Sequence, residues 1–153
     1  MPASLYLIFI GLLIPFIGLV TFGVRGALIY FSVRDTCYHA AKASTFTNAK
    51  AIAATTWAND LKLWGGSTGT QTTYVVVHQL SGTDPPPSVS PLPASPAPDP
   101  TKANYFIRVV ANCSIQPLFG GSWQGMQVPG LTVPYNLQMN YEYYAENPSG
   151  LTQ

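Results

Sequence analysis

Charge is scarce in this chain, and the scarcity excludes several functions at once. Only 8% of the 153 residues are Asp, Glu, Lys or Arg, against about a quarter in an ordinary soluble domain. The net charge is +1 and no basic cluster exists to track a phosphate backbone, so no nucleic-acid partner is expected. There is no HExxH, no G-x-S-x-G elbow, no paired carboxylates and no glycine-rich phosphate loop between a strand and a helix. His39 and His78 have no Ser, Cys or carboxylate at a spacing that suggests a relay. Cys37 and His39, at i and i+2 on a helix, point about 200° apart and cannot meet locally. No enzyme activity, cofactor, metal or small-molecule substrate is therefore read here. Cys37 and Cys113 are the only cysteines and lack metal-ligand spacing. They fit either two buried thiols or one disulfide, which would close a loop of about 76 residues and contribute roughly 4–5 kcal/mol.

The charges that exist are unevenly placed. From Arg25 to Lys62 the basic residues Arg25, Arg34, Lys42, Lys50 and Lys62 face only Asp35 and Asp60, a local balance of +3. The remainder, with Lys102 and Arg108 against Asp84, Asp99, Glu142 and Glu146, stands at −2. Polarity comes instead from Gly, Pro, Ser, Thr, Asn and Gln, with nine Tyr and three Trp. Such a surface suits packing against neighbours better than free solution.

The longest uncharged apolar run is Leu5–Val24, twenty residues ending one before Arg25. As a helix rising about 1.5 Å per residue it covers roughly 30 Å, the hydrocarbon thickness of a bilayer. The run is longer than a signal-peptide core and lacks a basic start, so an uncleaved anchor is expected. Pro15 lies inside it, between Gly11 and Gly18, and predicts a kink or a loosened turn. Apolar character resumes past Arg25, and no proline occurs from there to Trp64. One continuous helix of residues 3–64, on the order of 90 Å long, is predicted, stopped by Gly65-Gly66. Along it Ala40, Ala41, Ser44, Ala51, Ala54 and Ala58 form a stripe of small side chains that permits close helix approach. Trp57, Leu61 and Trp64 make a heavier end suited to holding a head.

The periodicity then changes. A loop over 65–72 precedes a predicted strand at 73–80, TYVVVHQL, and another at 104–112 with Tyr105, Ile107 and Val109 on one face. Between them residues 81–101 hold eight prolines and read as a surface loop or polyproline arm. Gly120-Gly121 and Pro129-Gly130 mark turns. Tyr135–Tyr144 alternates cleanly, with Tyr135, Leu137, Met139, Tyr141 and Tyr143 facing one way. Ser88, Ser90 and Ser95 on the arm, and Asn112 of Asn112-Cys113-Ser114, are candidate sugar acceptors. The fold class is α+β: a long hydrophobic-then-amphipathic helix over 1–64, and a head over 65–153 built on a small antiparallel sheet. One face of the sheet is expected to be covered by the C-terminal part of that helix.

This plan resembles the pilin-like proteins of the type IV filament superfamily, and more particularly the TadE-like family of tight-adherence pilus assembly proteins. The residues that carry the resemblance are Phe22-Gly23 and Arg25 at the end of the apolar run and His39-Ala40-Ala41-Lys42-Ala43 on the helix. With them go Phe106-Ile107-Arg108-Val109-Val110, then Ile115-Gln116-Pro117-Leu118-Phe119, and a last strand ending near Glu142. Thr21 stands where an acidic residue commonly precedes Phe-Gly in that family. No glutamate of the kind found near the mature start of pilins occurs before Asp35, and no basic leader ending in glycine precedes the run. The resemblance implies a structural subunit of a bacterial surface filament. It would be held in the inner membrane before assembly, then packed into an extracellular homopolymer or among other pilins. Leu5, Phe9, Leu12, Pro15, Phe16, Phe22, Arg25 and Phe31 would lie in the helical core of that filament. A membrane-anchored minor pseudopilin or assembly factor is the alternative. A bitopic adhesin binding carbohydrate through Trp123 and the tyrosines is a further one. The basic residues follow the run, which under the positive-inside rule would put the head in the cytoplasm. The hydroxyl- and proline-rich arm, the scarce charge and the candidate disulfide favour the exterior, which is the placement adopted.

Overall fold

The structure, a computed structural model, describes residues 3–63, 67–118 and 127–153. Trp64, Gly65, Gly66, Gly120, Gly121 and Trp123 lie outside the described residues, as does the side chain of Leu5. The first helix, α1, runs Ala3–Ala41 and a second, α2, runs Phe46–Leu63. The strands are β1 (Ser67–Gln79), β2 (Ala103–Ile115) and β3 (Tyr135–Tyr144), and a short 3₁₀ turn at Pro148–Thr152 ends the chain. The fold is α+β, with a three-stranded antiparallel sheet in the order β1-β2-β3.

The predicted single helix over 3–64 is not formed. It breaks at residues 42–45, and α2 folds back along α1, bringing Asp60 within hydrogen-bond reach of Ser32. The local cause is a cap. Thr45 Oγ1 accepts the N–H of Asn48 at 3.2 Å, and Ser44 Oγ accepts from the Asn48 amide side chain at 3.3 Å. A Ser-Thr pair just ahead of an apolar residue is a helix-start signal; counting small residues by threes and fours ran through it. The C-terminus then secures the corner. Glu146 N–H donates to the Ala41 carbonyl at 3.0 Å, Thr47 N–H to the Gln153 carbonyl at 3.1 Å, and the Asn147 amide to the Ala43 carbonyl. Helix-end groups that would otherwise need water are thereby satisfied by protein.

Both helices cover the same face of the sheet, α1 over β2 and β3 and α2 over β1. From α1 the seam is Ile29, Val33, Cys37, Ala40 and Ala41; from α2 it is Phe46, Ala49, Ala53 and Trp57. These spacings follow the helical repeat of one face. They meet the inward residues of β2, where Tyr105, Ile107, Val109, Ala111, Cys113 and Ile115 are all buried and their neighbours are not. Each fully buried large aliphatic or aromatic side chain contributes about 1.5–3 kcal/mol relative to exposure. Phe46 and Ile107 are the largest of them.

β3 matches its predicted bounds, whereas β1 begins six residues earlier than the strand predicted at 73–80. Ser67–Thr72, read from sequence as loop, is paired in register with Ile115–Val110. Its hydroxyl and amide side chains do not themselves favour a core, but the ladder to β2 satisfies the backbone and overrides local propensity. The proline arm is not free. Val75 and Ser88 exchange both backbone hydrogen bonds at 2.7 and 2.9 Å, so the arm caps the outer edge of β1. Farther on, Leu92 N–H donates to the Leu151 carbonyl and Lys50 Nζ to the Val89 carbonyl.

The candidate disulfide is absent: Cys37 and Cys113 are both free and buried. The Cys37 thiol donates to the carbonyls of Ile107 and Tyr141 at 3.1 and 3.3 Å. Cys113 lies six residues farther along β2, about 20 Å at the rise of a strand. A bridge needs Cα atoms within about 7 Å. Burial pushes the Cys113 thiol up to about 11.

The corner supplies a test. A Cβ on Gly150 would overlap the Ser44 carbonyl, a backbone group that has little room to yield. Gly150→Ala is expected to cost about 2 kcal/mol or more, and Thr45→Ala, which removes the cap, about 1 kcal/mol. Chemical denaturation in detergent micelles measures both; a Gly150→Ala variant as stable as wild type would contradict the corner packing.

Candidate functional site

Two parts of the surface stand out: the exposed N-terminal half of α1, and a charged chain across the outer face of the sheet. In α1, Leu7, Ile8, Phe9, Leu12, Phe16 and Leu19 are each 59–70% exposed, and Leu13, Ile14, Ile17, Val20 and Val24 are exposed as well. These positions cover most of the circumference of the helix; the strip left out runs through Pro15, Gly18 and Phe22, and Gly18 is buried against Leu131 of the head. α1 is long and apolar enough to cross a membrane. The helix continues unbroken through Pro15. Thr21, the one hydroxyl in the later part of the run, bonds the Ile17 carbonyl one turn back at 2.8 Å and leaves nothing polar unpaired there. Gly11 and Gly23 face open space, with nothing within 4 Å of where a Cβ would stand.

The residues expected in a filament core divide into two groups. Phe9, Leu12, Phe16 and Phe31 are exposed and Pro15 is half-exposed. Phe22 and Arg25 are turned to the chain's own head instead. Phe22 packs edge-on against Tyr135, with ring centroids 5.5 Å apart, and the Arg25 guanidinium donates to the Gln116 carbonyl. The small-residue stripe is likewise divided, because the corner at 42–45 resets the helical phase. Ala40 and Ala41 are buried in the core, Ser44 sits at the corner, and Ala51, Ala54 and Ala58 are exposed on the face of α2 that points away from the sheet. Trp57 is buried, its indole N–H donating to the Gly69 carbonyl at 3.4 Å.

The tyrosines of β3 are engaged within the protein. Tyr141 and Tyr143 meet Tyr30 and Tyr38 of α1 edge-on, and Tyr144 meets Phe106 on the outer face. Of the candidate sugar acceptors, Asn112 is exposed but lies in the central strand, paired with Thr70 and Gln138, rather than in a loop. Ser90 and Ser95 are exposed on the arm, and the Ser88 hydroxyl donates to the Ser90 carbonyl at 2.9 Å.

The charged chain on the outer face was not found from sequence. His78 Nδ1 is 2.7 Å from Asp84 and Nε2 is 3.2 Å from Glu142, which Arg108 also engages. Asp84 accepts the Gln79 N–H through its other oxygen at 2.7 Å, and the Phe106 ring lies edge-on to the imidazole. Asp84 is only six residues from His78, across the Ser81-Gly82 turn, and that proximity was the available signal. Glu142 arrives only through the β2–β3 register. Among the described residues no hydroxyl or thiol bonds this imidazole, so the arrangement clamps the start of the arm to the sheet and offers no nucleophile. With a carboxylate on each nitrogen, the doubly protonated ring is favoured: the hydrogen bonds to Asp84 and then Glu142 raise the imidazole above its ordinary 6.5. The same His78 bond, with help from the Gln79 N–H, holds Asp84 below its ordinary 3.8.

The pH dependence follows from those directions. The stability His78 adds is complete below 6.5 and is lost as pH rises through its raised folded value. The stability Asp84 adds is present above 3.8 and is lost as pH falls through its lowered folded value. Melting temperature should therefore fall as pH rises above 6.5, by at most a few degrees because the pair is solvent-exposed. His78→Gln should flatten that limb of the profile; an unchanged limb would show that the clamp contributes nothing. Compared with known proteins, this chain matches no protein-family model, no curated protein and no solved structure.

Proposed function

We propose that the protein is a pilin-like structural subunit of a bacterial surface filament. In this reading α1 holds the subunit in the inner membrane before assembly and packs against the helices of identical subunits or other pilins afterwards. The observation that carries it is the first half of α1, where large apolar side chains are exposed over most of the circumference of a helix whose second half is built into a folded head. Water would penalise that surface by roughly 25 cal/mol for each Å². It is satisfied by lipid, by other helices, or by each in turn. Gly11 and Gly23 support the second use, since they leave open notches on an exposed helix where another backbone can approach closely. The scarcity of charge, the exposed alanines of α2 and the resemblance to TadE-like pilus proteins support the same reading. The head, capped at one sheet edge by its proline arm, would face outward.

Filaments purified from the producing bacterium are expected to contain the chain as a major component. Gly11→Leu and Gly23→Leu should leave membrane insertion intact, because leucine is the more apolar residue, and should lower incorporation into filaments. Leu12→Lys should impair insertion itself, at a cost of about 2.5–3.5 kcal/mol in the middle of the span. Filaments without the protein, together with its retention in membrane fractions, would overturn the subunit reading. A few copies per filament would point to the minor pseudopilin or assembly role.

A further inference from the structure

The head touches α1 inside its apolar run. Leu131 lies so close to Gly18 that a Cβ there would be 2.9 Å from Leu131 Cδ2, and a Cβ on Gly130 would be 2.7 Å from the Phe22 ring. Gly130 also has φ +81°, a left-handed conformation that side chains rarely adopt. Gly18 precedes Val24 by six residues, about 9 Å along the helix axis. The part of the run ahead of Gly18, about 13 residues, covers only about 20 Å, whereas the whole run covers the ~30 Å of a bilayer's hydrocarbon. If the whole run is immersed, the turn at 127–134 goes in with it.

The turn is built for such surroundings. No charged residue occurs between Arg108 and Glu142. Pro129 and Pro134 have no N–H to satisfy, and every other amide from Val128 to Val133 is bonded within the turn. Val128 N–H donates to Thr132 Oγ1 at 2.8 Å and Gly130 N–H to the Val133 carbonyl at 2.8 Å. Leu131, Thr132 and Val133 all donate to the Val128 carbonyl, at 3.1, 2.9 and 3.4 Å. A surface turn in water has no need to satisfy every donor internally, whereas apolar surroundings require it. Leu118 and Tyr135, at the same end of the sheet, are 43% and 42% exposed, and Arg25 ties the helix to Gln116 beside them at the first charge after the run.

We propose that the turn 127–134, with Leu118 and Tyr135, is a second membrane contact that sits in the interfacial layer beside α1 and sets the depth and tilt of the head. The occupant is lipid, at the boundary of headgroup and acyl chain, the depth at which amphipathic elements bury about 5–10 Å. The proposal rests on the reading that α1 spans the bilayer, and its test separates the two.

The full chain is reconstituted in vesicles of phosphatidylcholine and phosphatidylglycerol, with single introduced cysteines carrying an environment-sensitive dye. Both native thiols are buried and stay unlabelled under native conditions. Pro129→Cys probes the turn, Leu118→Cys is the second probe should the first disturb folding, Leu13→Cys reports the span and Ser90→Cys reports water. The expected result is a blue shift at positions 129 and 118 with quenching by lipid nitroxides placed near the headgroup. At Leu13 quenching should be strongest by mid-chain nitroxides, and at Ser90 there should be none. Quenching at Leu13 while 129 and 118 behave like Ser90 would overturn the interfacial contact and leave the span standing. No quenching at Leu13 would overturn both.

Discussion

The structure depends on the seam that Ile29, Val33, Cys37, Ala40 and Ala41 of α1 make with the inward side chains of β2. That contact turns the second half of an otherwise featureless apolar helix into the spine of the head. It makes α1 a rigid link between two environments. From Ile29 onward the helix packs on a sheet, and before Gly18 most of its large side chains meet none of the head. A hinge between the halves would let anchor and head move independently. The contacts of Gly18, Phe22, Arg25 and Gly26 with the end of the sheet remove that freedom.

Scarcity of charge makes hydrogen bonding do what ion pairs do elsewhere. The α1–α2 corner is secured by Ser, Thr and Asn side chains and by the C-terminal backbone. The arm is held by a two-bond bridge at Val75 and Ser88. The few charges left on the outer face are gathered into one chain, Asp84–His78–Glu142–Arg108, spanning all three strands. Its place is at the start of the arm, where it pins the segment that covers the open edge of β1. An uncapped edge strand is a template for unwanted pairing, so the clamp and the arm act on the same problem.

In the filament reading proposed above, the subunit would pass from lipid to protein surroundings and would have to present a surface acceptable to both. The exposed half of α1 would do so, because lipid tails and packed aliphatic side chains are nearly equivalent solvents for it. The difference between the two states then rests on close packing and on the glycine notches rather than on hydrophobicity. The folded-back α2 adds a feature absent from a single long helix. Its outward face of small residues is carried on the head, alongside the second half of α1 and not in line with it.

The α+β class, the apolar run, the three strands and the inward alternation of β2 and β3 were legible in the sequence, because period-two and period-3.6 patterns report directly on which face is buried. Tyr135–Tyr144 is the clearest case, since every second residue there meets the helices. The corner at 42–45 was legible only in part. The Ser44-Thr45 cap is a local signal, but what turns it from a tolerated pair within a helix into a reversal is the C-terminal segment bonding Ala41, Ala43 and Thr47 from about a hundred residues away. Tertiary structure alone decided that Cys37 and Cys113 stay apart, since α1 sets Cys37 against Ile107, six residues from Cys113 along β2. It alone decided that Glu142 reaches His78, and that Leu131 settles on Gly18. Each is a contact between distant segments whose residues are unremarkable in their own neighbourhoods, and local periodicity carries no information about such pairings.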